Sequence, residues 1–412
     1  MVDARAKPPL LVFADDWGRH PSSCQHLIKR LVDGRDVDWV NTIGMRPPRF
    51  DLVSLRRGLH KVSDWARGGP ADASSVIKGL RVHNPRMWPW YRSSRDRRLN
   101  RFLLARQLRR IVSRVGAPPI AITTLPITAD LVGAFPVVRW VYYCVDDFSQ
   151  WPGLEHAALD AMEREMVERA DVIIAVSEVL RERIGRWGRH SLLLTHGVDL
   201  RQWSDETPSS LPRVLERFEP PFIVFWGLID QRIDVDVVRT TAAKLERGTI
   251  VLIGPDQNAA PRLWASSRVA RIPAQNYDDL PALARAASVL IMPYVDAPVT
   301  RAMQPLKLKE YLATGKPTVV TDLPSVREWN DCLDIATSPD EFADAVKLRL
   351  QSGLSERQRL ARQRLSDECW TAKARRFERL IDGDTEASDL TAPEPACDEA
   401  LAYVGSKKAL GC

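Results

Sequence analysis

Residues 287–320 read ASVLIMPYVDAPVTRAMQPLKLKEYLATGKPTVV and contain the pattern of one strand, one helix and a second strand. The apolar runs Val289–Met292 and Thr318–Val320 predict strands that are buried on both faces. Pro305 marks the start of the intervening helix, and the Gly-Lys-Pro sequence at 315–317 marks its end. A helix between two such strands is typical of a parallel β-α-β unit, so the stretch predicts an α/β fold.

The same pattern repeats along both halves of the chain, which has 412 residues. The segment 204–221, SDETPSSLPRVLERFEPP, interrupts it with Pro, Ser and acidic residues, as an interdomain connection would. We therefore expect two Rossmann-like, doubly wound domains facing a central cleft, at 1–205 and 206–350. A helical segment at 351–383 is expected to pack back on the first domain, and 384–412 to be a flexible tail. The predicted strands are Leu10–Ala14, Val37–Asn41, Ile120–Leu125, Val137–Val145, Val172–Val176, Leu192–Thr195, Phe222–Trp226, Ile250–Ile253, Val289–Met292 and Thr318–Val320.

Composition limits the classes of protein to which the chain can belong. Hydrophobic residues make up 45% and charged residues 27%, as in ordinary globular domains, and this argues against disorder over most of the chain. The net charge of +6 suits an anionic ligand or surface but is well below that of a nucleic-acid tail, so we expect no nucleic-acid partner. Six scattered cysteines and the lack of a long apolar run predict a reduced, cytoplasmic protein without a signal peptide or membrane span.

The turn after the first predicted strand, 15–23, reads DDWGRHPSS. Gly18 allows the backbone to approach a ligand closely, and Ser22 or Ser23 can cap the helix that follows. Backbone amides at a helix start suit a phosphate or a developing anion. An ordinary capped loop is the alternative, and the residue types leave both interpretations open. His196, in the turn after the last strand of the first half, is expected to be structural.

Lys307 and Glu310 lie three residues apart, on one face of the helix predicted after Pro305. A lysine at the start of this helix suits the phosphates of a nucleotide diphosphate, and a glutamate one turn later suits ribose hydroxyls. A surface ion pair of small energetic value is the alternative. The chemistry of the two residues alone does not decide between these interpretations.

The order of the motifs resembles that of the family 4 glycosyltransferases of the GT-B fold. It is most similar to bacterial polysaccharide-type members of that family. The resemblance covers most of the chain, from about Leu10 to about Trp329. The motifs that carry it are DWG at 16–18, YYCVDDFSQW at 142–151, HGVD at 196–199, FWGLID at 225–230, IGP at 253–255, ASVLIMPY at 287–294 and PLKLKEYLATGKPTVVTDLP at 305–324.

The resemblance implies that the N-terminal domain binds the acceptor and that the C-terminal domain binds a sugar nucleotide. Glu310 would bind the ribose, and Gly18 would line the donor phosphates. Arg232 would be the cation on the diphosphate, with Lys307 as its helper, while backbone amides at the start of the helix would receive the diphosphate or sugar hydroxyls. The residues placed around the donor in this way are Gly18, Arg232, Pro305, Leu306, Lys307 and Glu310.

The resemblance also implies that Asp146 and Asp147 are the catalytic residues. They occupy positions at which many relatives carry a His-Asp pair facing the transferred sugar, so Asp146 replaces the histidine. The family's Glu-x7-Glu pattern places its first glutamate at position 302, where this chain has Ala302. The usual Arg and downstream Lys of the second domain are reduced to Arg232. These three departures leave the donor sugar and the catalytic base open.

The implied reaction moves a sugar from a nucleoside diphosphate sugar, with UDP or GDP as the nucleotide, to an acceptor hydroxyl. The acceptor would be a carbohydrate or a lipid-linked molecule in polysaccharide or glycoconjugate biosynthesis. Retention of anomeric configuration and independence of metals and cofactors are implied as well. Two alternatives stay open, a GT-B epimerase that acts on the sugar nucleotide and a non-catalytic protein that binds it.

The segment Arg81–Arg114 combines many arginines with Trp88, Trp90 and Tyr91. One interpretation is a helix that lies on an anionic membrane and brings the enzyme to a lipid-linked acceptor at the inner face of the plasma membrane. The other is a solvated helix whose apolar stripe packs on the domain core. Residues with helical spacing that would form this stripe are Leu99, Phe102, Leu103, Ile111 and Val112.

Overall fold

The computed structural model describes residues 7–19, 21–41, 77–114, 116–151, 153–204 and 210–384. Within these ranges the chain forms two compact units, each built on one parallel sheet. The first unit contains the chain up to Thr195 and again from Ala374, and the second contains His196–Lys373. The predicted flexible tail lies outside the described residues from position 385 onward.

The first unit has a seven-stranded sheet in the order β3-β2-β1-β4-β5-β6-β7, in which every neighbouring pair is parallel. Its strands are β1 (Leu10–Ala14), β2 (Val37–Asn41), β3 (Leu80–His83), β4 (Ile120–Thr123), β5 (Arg139–Cys144), β6 (Val172–Ala175) and β7 (Leu192–Leu193). Its helices are α1 (Ser23–Leu31), α2 (Ser94–Val112), α3 (His156–Arg169) and α4 (Glu178–Arg186).

The second unit has a six-stranded parallel sheet in the order β10-β9-β8-β11-β12-β13. Its strands are β8 (Phe222–Trp226), β9 (Thr249–Ile253), β10 (Val269–Ile272), β11 (Val289–Met292), β12 (Thr318–Thr321) and β13 (Asp334–Ala336). Its helices are α5 (Leu200–Ser204), α6 (Val235–Lys244), α7 (Leu280–Ala286), α8 (Pro298–Ala302), α9 (Leu306–Ala313), α10 (Pro339–Ser352), α11 (Glu356–Ala361) and the first residues of α12 (Trp370–Asp382).

The central strands are buried along their whole length. All five residues of β1 and all five residues of β8 are buried, as continuous apolar runs covered by helices on both faces require. In the first sheet Val12 is in register with Trp39 on one side and with Ile122 on the other.

Each sheet has one place where its strand order reverses. In the first unit this switch point lies between β1 and β4, and in the second between β8 and β11. The connections that leave the carboxyl ends of two such strands turn in opposite directions and open a crevice, which is where doubly wound sheets bind ligands. The loop with Gly18 follows β1, and the turn with Gly227 follows β8.

The boundary between the units lies before His196 and not at the predicted 205/206. Backbone hydrogen bonds fix the segment after Thr195 within the second unit, because the Val198 amide donates to the Glu368 carbonyl and the Trp370 amide donates to the Val198 carbonyl. The Lys309 ammonium also donates to the His196 carbonyl at 2.6 Å. The Pro- and Ser-rich segment that suggested the boundary begins only after these residues.

The second part of α12 lies in the first unit. Phe377 packs on Tyr143 with ring centroids 5.3 Å apart. The buried Arg35 guanidinium donates to both carboxylate oxygens of Asp382, at 3.0 and 2.7 Å, and to Glu378 at 2.9 Å. A bidentate pair of this kind fixes the orientation of the helix as well as its position.

Candidate functional site

The switch point of the second sheet is shaped by two glycines. Gly227 follows β8 with a φ of 137°, and Gly254 follows β9 with a φ of 147°. A Cβ atom on Gly227 would lie 2.2 Å from Nζ of Lys307, and one on Gly254 would lie 1.9 Å from the Gly227 carbonyl oxygen. Only glycine fits at either position, so the backbone and the lysine can approach closely there.

Lys307 lies in the first turn of α9 and is half-buried. Its Nζ donates to the hydroxyl of Tyr294 at 2.6 Å and lies 4.3 Å from the ring centroid of Phe225. The hydroxyl and the ring orient the ammonium without neutralising it. Its positive charge lies at the switch point, between the Glu310 carboxyl, on which it acts, and the start of a helix, where the macrodipole also favours an anion.

Glu310 lies one turn after Lys307 and is buried. Its Oε2 accepts a hydrogen bond from Nε1 of Trp226 at 3.2 Å, and its Oε1 accepts one from the Tyr277 hydroxyl at 3.0 Å. Burial raises the pKa of the Glu310 carboxyl, while the two hydrogen bonds and the charge of Lys307 oppose this rise. The structure therefore brings Lys307 and Glu310 to the same site but rejects the surface-pair interpretation, because Glu310 is not exposed.

Aromatic rings enclose the Glu310 carboxylate. The rings of Trp203 and Trp226 are stacked, with centroids 5.2 Å apart and an angle of 3° between the planes. Tyr311 meets Trp226 edge-on, and its hydroxyl accepts a hydrogen bond from the Trp226 amide at 3.2 Å. Nε1 of Trp203 donates to the hydroxyl of Tyr277 at 3.3 Å. Sequence reasoning did not single out these aromatic residues, although Trp226 and Tyr311 were part of quoted motifs.

Pro305 and Leu306 lie at the start of α9 as expected, but Pro305 is the residue before the first helical position. It has no N–H, and its carbonyl accepts from the Leu308 amide at 3.2 Å. The amides of Leu306 and Lys307 lie in the first turn, where the helix itself supplies no carbonyl acceptor. An anion at this end of the helix would therefore meet these two amides.

Arg232 is buried and paired within its own turn. Its Nε donates to both carboxylate oxygens of Asp230, at 3.0 and 3.1 Å, and its Nη1 lies 3.8 Å from Sδ of Met303. The pair with Asp230 neutralises the charge that the sequence-based prediction assigned to the diphosphate. Lys307, which the prediction made the helper, lies at the switch point of the second sheet, with Nζ close to Gly227.

A cavity of about 240 Å³ lies beside Tyr294, at the carboxyl ends of β12 and β13. Its charged lining consists of Asp234, Asp296, Asp322, Arg301 and Arg327. Arg301 pairs with Asp296 and Arg327 pairs with Asp322, so the lining has no surplus of positive charge. This balance makes the cavity a poorer place for a diphosphate than the switch point.

In the first unit, Gly18 lies in the expected turn with a φ of 76°. Its amide donates to Oε1 of Gln25 at 3.1 Å, and Nε2 of Gln25 donates to Asp15 at 2.8 Å. Ser22 caps α1 by accepting from the Gln25 amide. These contacts fit the capped-loop interpretation, because the Gly18 amide already has a protein acceptor.

Asp146 and Asp147 follow β5. The Asp147 carboxylate accepts from the hydroxyl and the amide of Ser149, at 2.5 and 3.1 Å, and lies 2.8 Å from the Arg183 guanidinium. Asp147 is therefore engaged in a network within the first unit, whereas Asp146 is only partly covered. In the part of the chain that the structure describes, no group of three or more His, Cys, Asp or Glu side chains is arranged to hold a metal ion.

The Arg183 network extends into the core of the first unit. Arg183 lies 2.9 Å from Glu163 and 2.9 Å from Asp160, and its guanidinium stacks 4.6 Å from the ring centroid of Trp187. Glu163 also accepts from the Tyr142 hydroxyl at 2.8 Å, and burial raises the pKa of its carboxyl. Arg183 thus compensates several acidic groups at once, including the predicted catalytic Asp147.

Helix α2 has a buried and an exposed apolar face. Leu104, Leu108 and Val112 are buried on the core side of the helix, and of these three only Val112 was part of the predicted stripe. Leu99 and Phe102, which were predicted to share that stripe, are instead 40% and 63% exposed. The prediction of the stripe was wrong at these two positions, because the buried face of the helix runs through residues 104, 108 and 112. Among the described residues no helix is long and apolar enough to cross a membrane.

Comparison with known proteins agrees with this architecture. A family model described as "Glycosyl transferases group 1" matches residues 220–352. TuaH of Bacillus subtilis (strain 168), named for a glycosyltransferase role in teichuronic acid biosynthesis, is 27% identical over 175 residues. That alignment covers 40% of this chain and 44% of the relative, so the match spans less than half the length of TuaH.

Solved structures are similar over nearly the whole chain. Sucrose-phosphate synthase from Thermosynechococcus elongatus superposes with a TM-score of 0.67 at 16% identity, covering 91% of this chain and 98% of that one. HepE from Anabaena, in complex with UDP and glucose, superposes with a TM-score of 0.62 at 14% identity, covering 92% of this chain and 100% of that one. At these identities the likeness establishes the fold. The predicted GT-B fold is confirmed by these superpositions. The match to the glycosyl transferases group 1 model lies within the second unit.

Proposed function

We propose that this protein is a glycosyltransferase that moves a sugar from a nucleoside diphosphate sugar to an acceptor hydroxyl. The observation that carries the proposal is the position of the Lys307 ammonium over Gly227, at the switch point of the second sheet and beside the start of α9. A cation, a helix start and a glycine turn form an arrangement that suits a diphosphate. The group 1 domain includes all three features.

The difficult step in such a transfer is the departure of the nucleoside diphosphate from the sugar. Negative charge grows on the leaving oxygen, and fixed positive charge and N–H dipoles stabilise it without reorganising. Lys307 and the amides of Leu306 and Lys307 would supply this stabilisation. Glu310 would accept hydrogen bonds from the ribose hydroxyls and hold the nucleotide in register. We propose that the transfer retains the anomeric configuration.

We further propose that the donor nucleotide is UDP or GDP and that the reaction needs no metal ion or cofactor. The support for UDP is the likeness to HepE, which was solved with UDP and glucose. The support for metal independence is that Lys307 can neutralise part of the diphosphate charge. Donor hydrolysis measured after exhaustive treatment with EDTA tests this point, and loss of activity that added Mg²⁺ or Mn²⁺ restores would contradict it.

The acceptor that we propose is a carbohydrate or a lipid-linked molecule in polysaccharide or glycoconjugate biosynthesis. The similarity to TuaH supports this class of pathway. We place the reaction on the cytoplasmic side of the plasma membrane, with the enzyme bound peripherally to the inner leaflet. The exposed face of α2 supports that placement.

This face combines apolar and basic side chains. Phe102 is 63% exposed, Leu99 is 40% exposed, and Trp88 near the start of α2 is also 40% exposed. Exposed arginines flank the apolar pair at positions 95, 98, 101, 106, 109 and 110, whereas Arg97 turns away to pair with Asp130 and Glu165. Aromatic and aliphatic groups surrounded by arginines suit the interface of an anionic bilayer.

Sedimentation with lipid vesicles tests the membrane contact. Phosphatidylcholine vesicles with added phosphatidylglycerol are expected to bind the protein at low salt, and the combined variant Arg101→Gln, Arg106→Gln, Arg110→Gln is expected to lose most of this binding. The control removes three exposed arginines of the second unit, with Arg213→Gln, Arg239→Gln and Arg357→Gln. Equal binding of both triple variants would contradict the contact.

Two observations favour the non-catalytic alternative. Asp147, one of the two predicted catalytic residues, is already paired with Arg183. Ala302 supplies no carboxylate at the position of the first glutamate of the family's Glu-x7-Glu pattern. Incubation with UDP- and GDP-sugars separates the functions. Slow release of free sugar and nucleotide supports transfer, an epimerised sugar nucleotide without acceptor indicates the epimerase, and binding without turnover indicates the non-catalytic protein.

A further inference from the structure

The Glu310 carboxylate is held by donors from two other elements of the second unit. Trp226 is the last residue of β8, and its indole N–H reaches Oε2. Tyr277 lies in the turn after β10, and its hydroxyl reaches Oε1. Each oxygen thus has one fixed partner, one at the end of β8 and the other in the turn after β10.

Trp203 contacts both residues that donate to Glu310. The Trp203 indole N–H donates to the Tyr277 hydroxyl at 3.3 Å, which commits the hydroxyl proton to Glu310. Trp203 also stacks on Trp226 and meets Tyr277 edge-on at 5.8 Å. Trp203 belongs to α5, which follows the chain crossing from the first unit.

We propose that Trp226 and Tyr277 are positioning residues that orient Glu310 toward the hydroxyls of the donor, and that Trp203 acts on Glu310 through Tyr277. The inference rests on the proposed function, because it assigns these residues to the donor site. None of them would need to touch the donor.

The physical reason is the number of hydrogen bonds that a carboxylate can accept. An ionised carboxylate offers about four lone-pair positions, and two of them are occupied by Trp226 and Tyr277. The other two remain for a pair of neighbouring hydroxyls. A glutamate without fixed partners would have to give up side-chain freedom on binding, whereas one oriented in advance loses less.

The same hydrogen bonds favour the ionised form of the buried carboxylate and oppose the rise in its pKa. Burial favours the protonated form, and the donors Trp226 and Tyr277, together with the charge of Lys307, favour the ionised form. Two further titratable groups face this cluster. Tyr311 interacts electrostatically with Glu310, and Asp199 interacts electrostatically with Tyr277. Removing the Tyr277 hydroxyl should therefore move the loss of donor binding to higher pH.

The experiment compares UDP binding by calorimetry over a range of pH for the native protein and five variants. Tyr277→Phe removes one donor and keeps the ring, and we expect UDP affinity to fall about tenfold, as for one hydrogen bond to a charged group. The pH at which affinity is half lost should rise. Trp203→Phe should show a smaller effect of the same kind, and the double variant should resemble Tyr277→Phe, since Trp203 acts through it.

Controls separate the outcomes. Tyr143→Phe removes a hydroxyl in the first unit and should leave UDP binding unchanged, while melting temperatures without ligand verify that every variant is folded. If the native protein binds no nucleotide, the proposed function fails. If it binds UDP and loses binding in Glu310→Ala, but Tyr277→Phe has native affinity and a native pH profile, this inference alone is overturned.

Discussion

The Lys307 ammonium occupies the space that a side chain on Gly227 would fill, with Nζ only 2.2 Å from the position of a Cβ atom there. These residues are far apart in sequence, but the switch point of the second sheet brings the end of β8 and the start of α9 together. We assign the Lys307 ammonium to the donor diphosphate, and its position therefore depends on a glycine in another element.

Gly227→Ala is expected to abolish nucleotide binding. The new methyl group would displace Lys307, and a φ of 137° is strained for any residue with a Cβ atom. Gly185→Ala in α4 is the matched control, because its Cβ would have no heavy atom within 4 Å. A thermal-shift assay with UDP measures the effect. A native shift in Gly227→Ala would show that the ammonium does not need this space.

Lys307→Met should weaken UDP binding about tenfold or more, since it removes a charge-assisted contact and keeps much of the side-chain volume. Arg232→Met should weaken it less, because Arg232 is already paired with Asp230. Titration calorimetry on both variants gives the comparison. The reverse order of effects would return the principal role to Arg232.

Glu310→Gln is expected to become more stable relative to the native protein as pH rises, while it weakens UDP binding. In the folded native protein, burial raises the pKa of Glu310. Between the unfolded and the folded pKa the folded state binds more protons, so native stability falls as pH rises. The glutamine variant lacks this loss, and its advantage should grow with pH through that window. Melting curves from acidic to neutral pH measure it, and an advantage that shrinks as pH rises would contradict the account.

Arg183→Met is expected to destabilise the first unit by about 3–5 kcal/mol, because it leaves buried acidic groups without their cation. Glu163 and Asp147 both lose a partner. Arg181→Met, which breaks the exposed pair with Glu178 on the same helix, should cost less than about 1 kcal/mol. Urea denaturation of the two variants measures the difference. Equal, small losses would mean that Arg183 has no structural role.

The sequence predicted the strands of the sheet interiors well, because burial on both faces demands continuous apolar residues. β1, β2, β8 and β11 have the predicted bounds. The strands that were missed, β3, β10 and β13, all lie at sheet edges. An edge strand is paired on one side only, so its residues can be polar, as in the half-exposed LRVH of β3.

The candidate site was predictable only where its residues are close in sequence. Lys307 and Glu310 share one helix, and their joint position followed from helical spacing. Trp203, Trp226 and Tyr277 come from three separate elements that only the tertiary fold brings together. The pairing of Asp147 with Arg183 and of Arg232 with Asp230 was likewise invisible in a pattern that records residue type without the direction of the side chain.

A crystal structure of the protein with bound UDP tests the central claim most directly, through the distance from Nζ of Lys307 to the nearest phosphate oxygen. The account predicts an ion pair within about 4 Å, with the β-phosphate near the amides of Leu306 and Lys307 and the ribose hydroxyls on Glu310. A diphosphate bound at Arg232 or at the Gly18 turn, with Lys307 still bonded to Tyr294 and remote from the ligand, would contradict it.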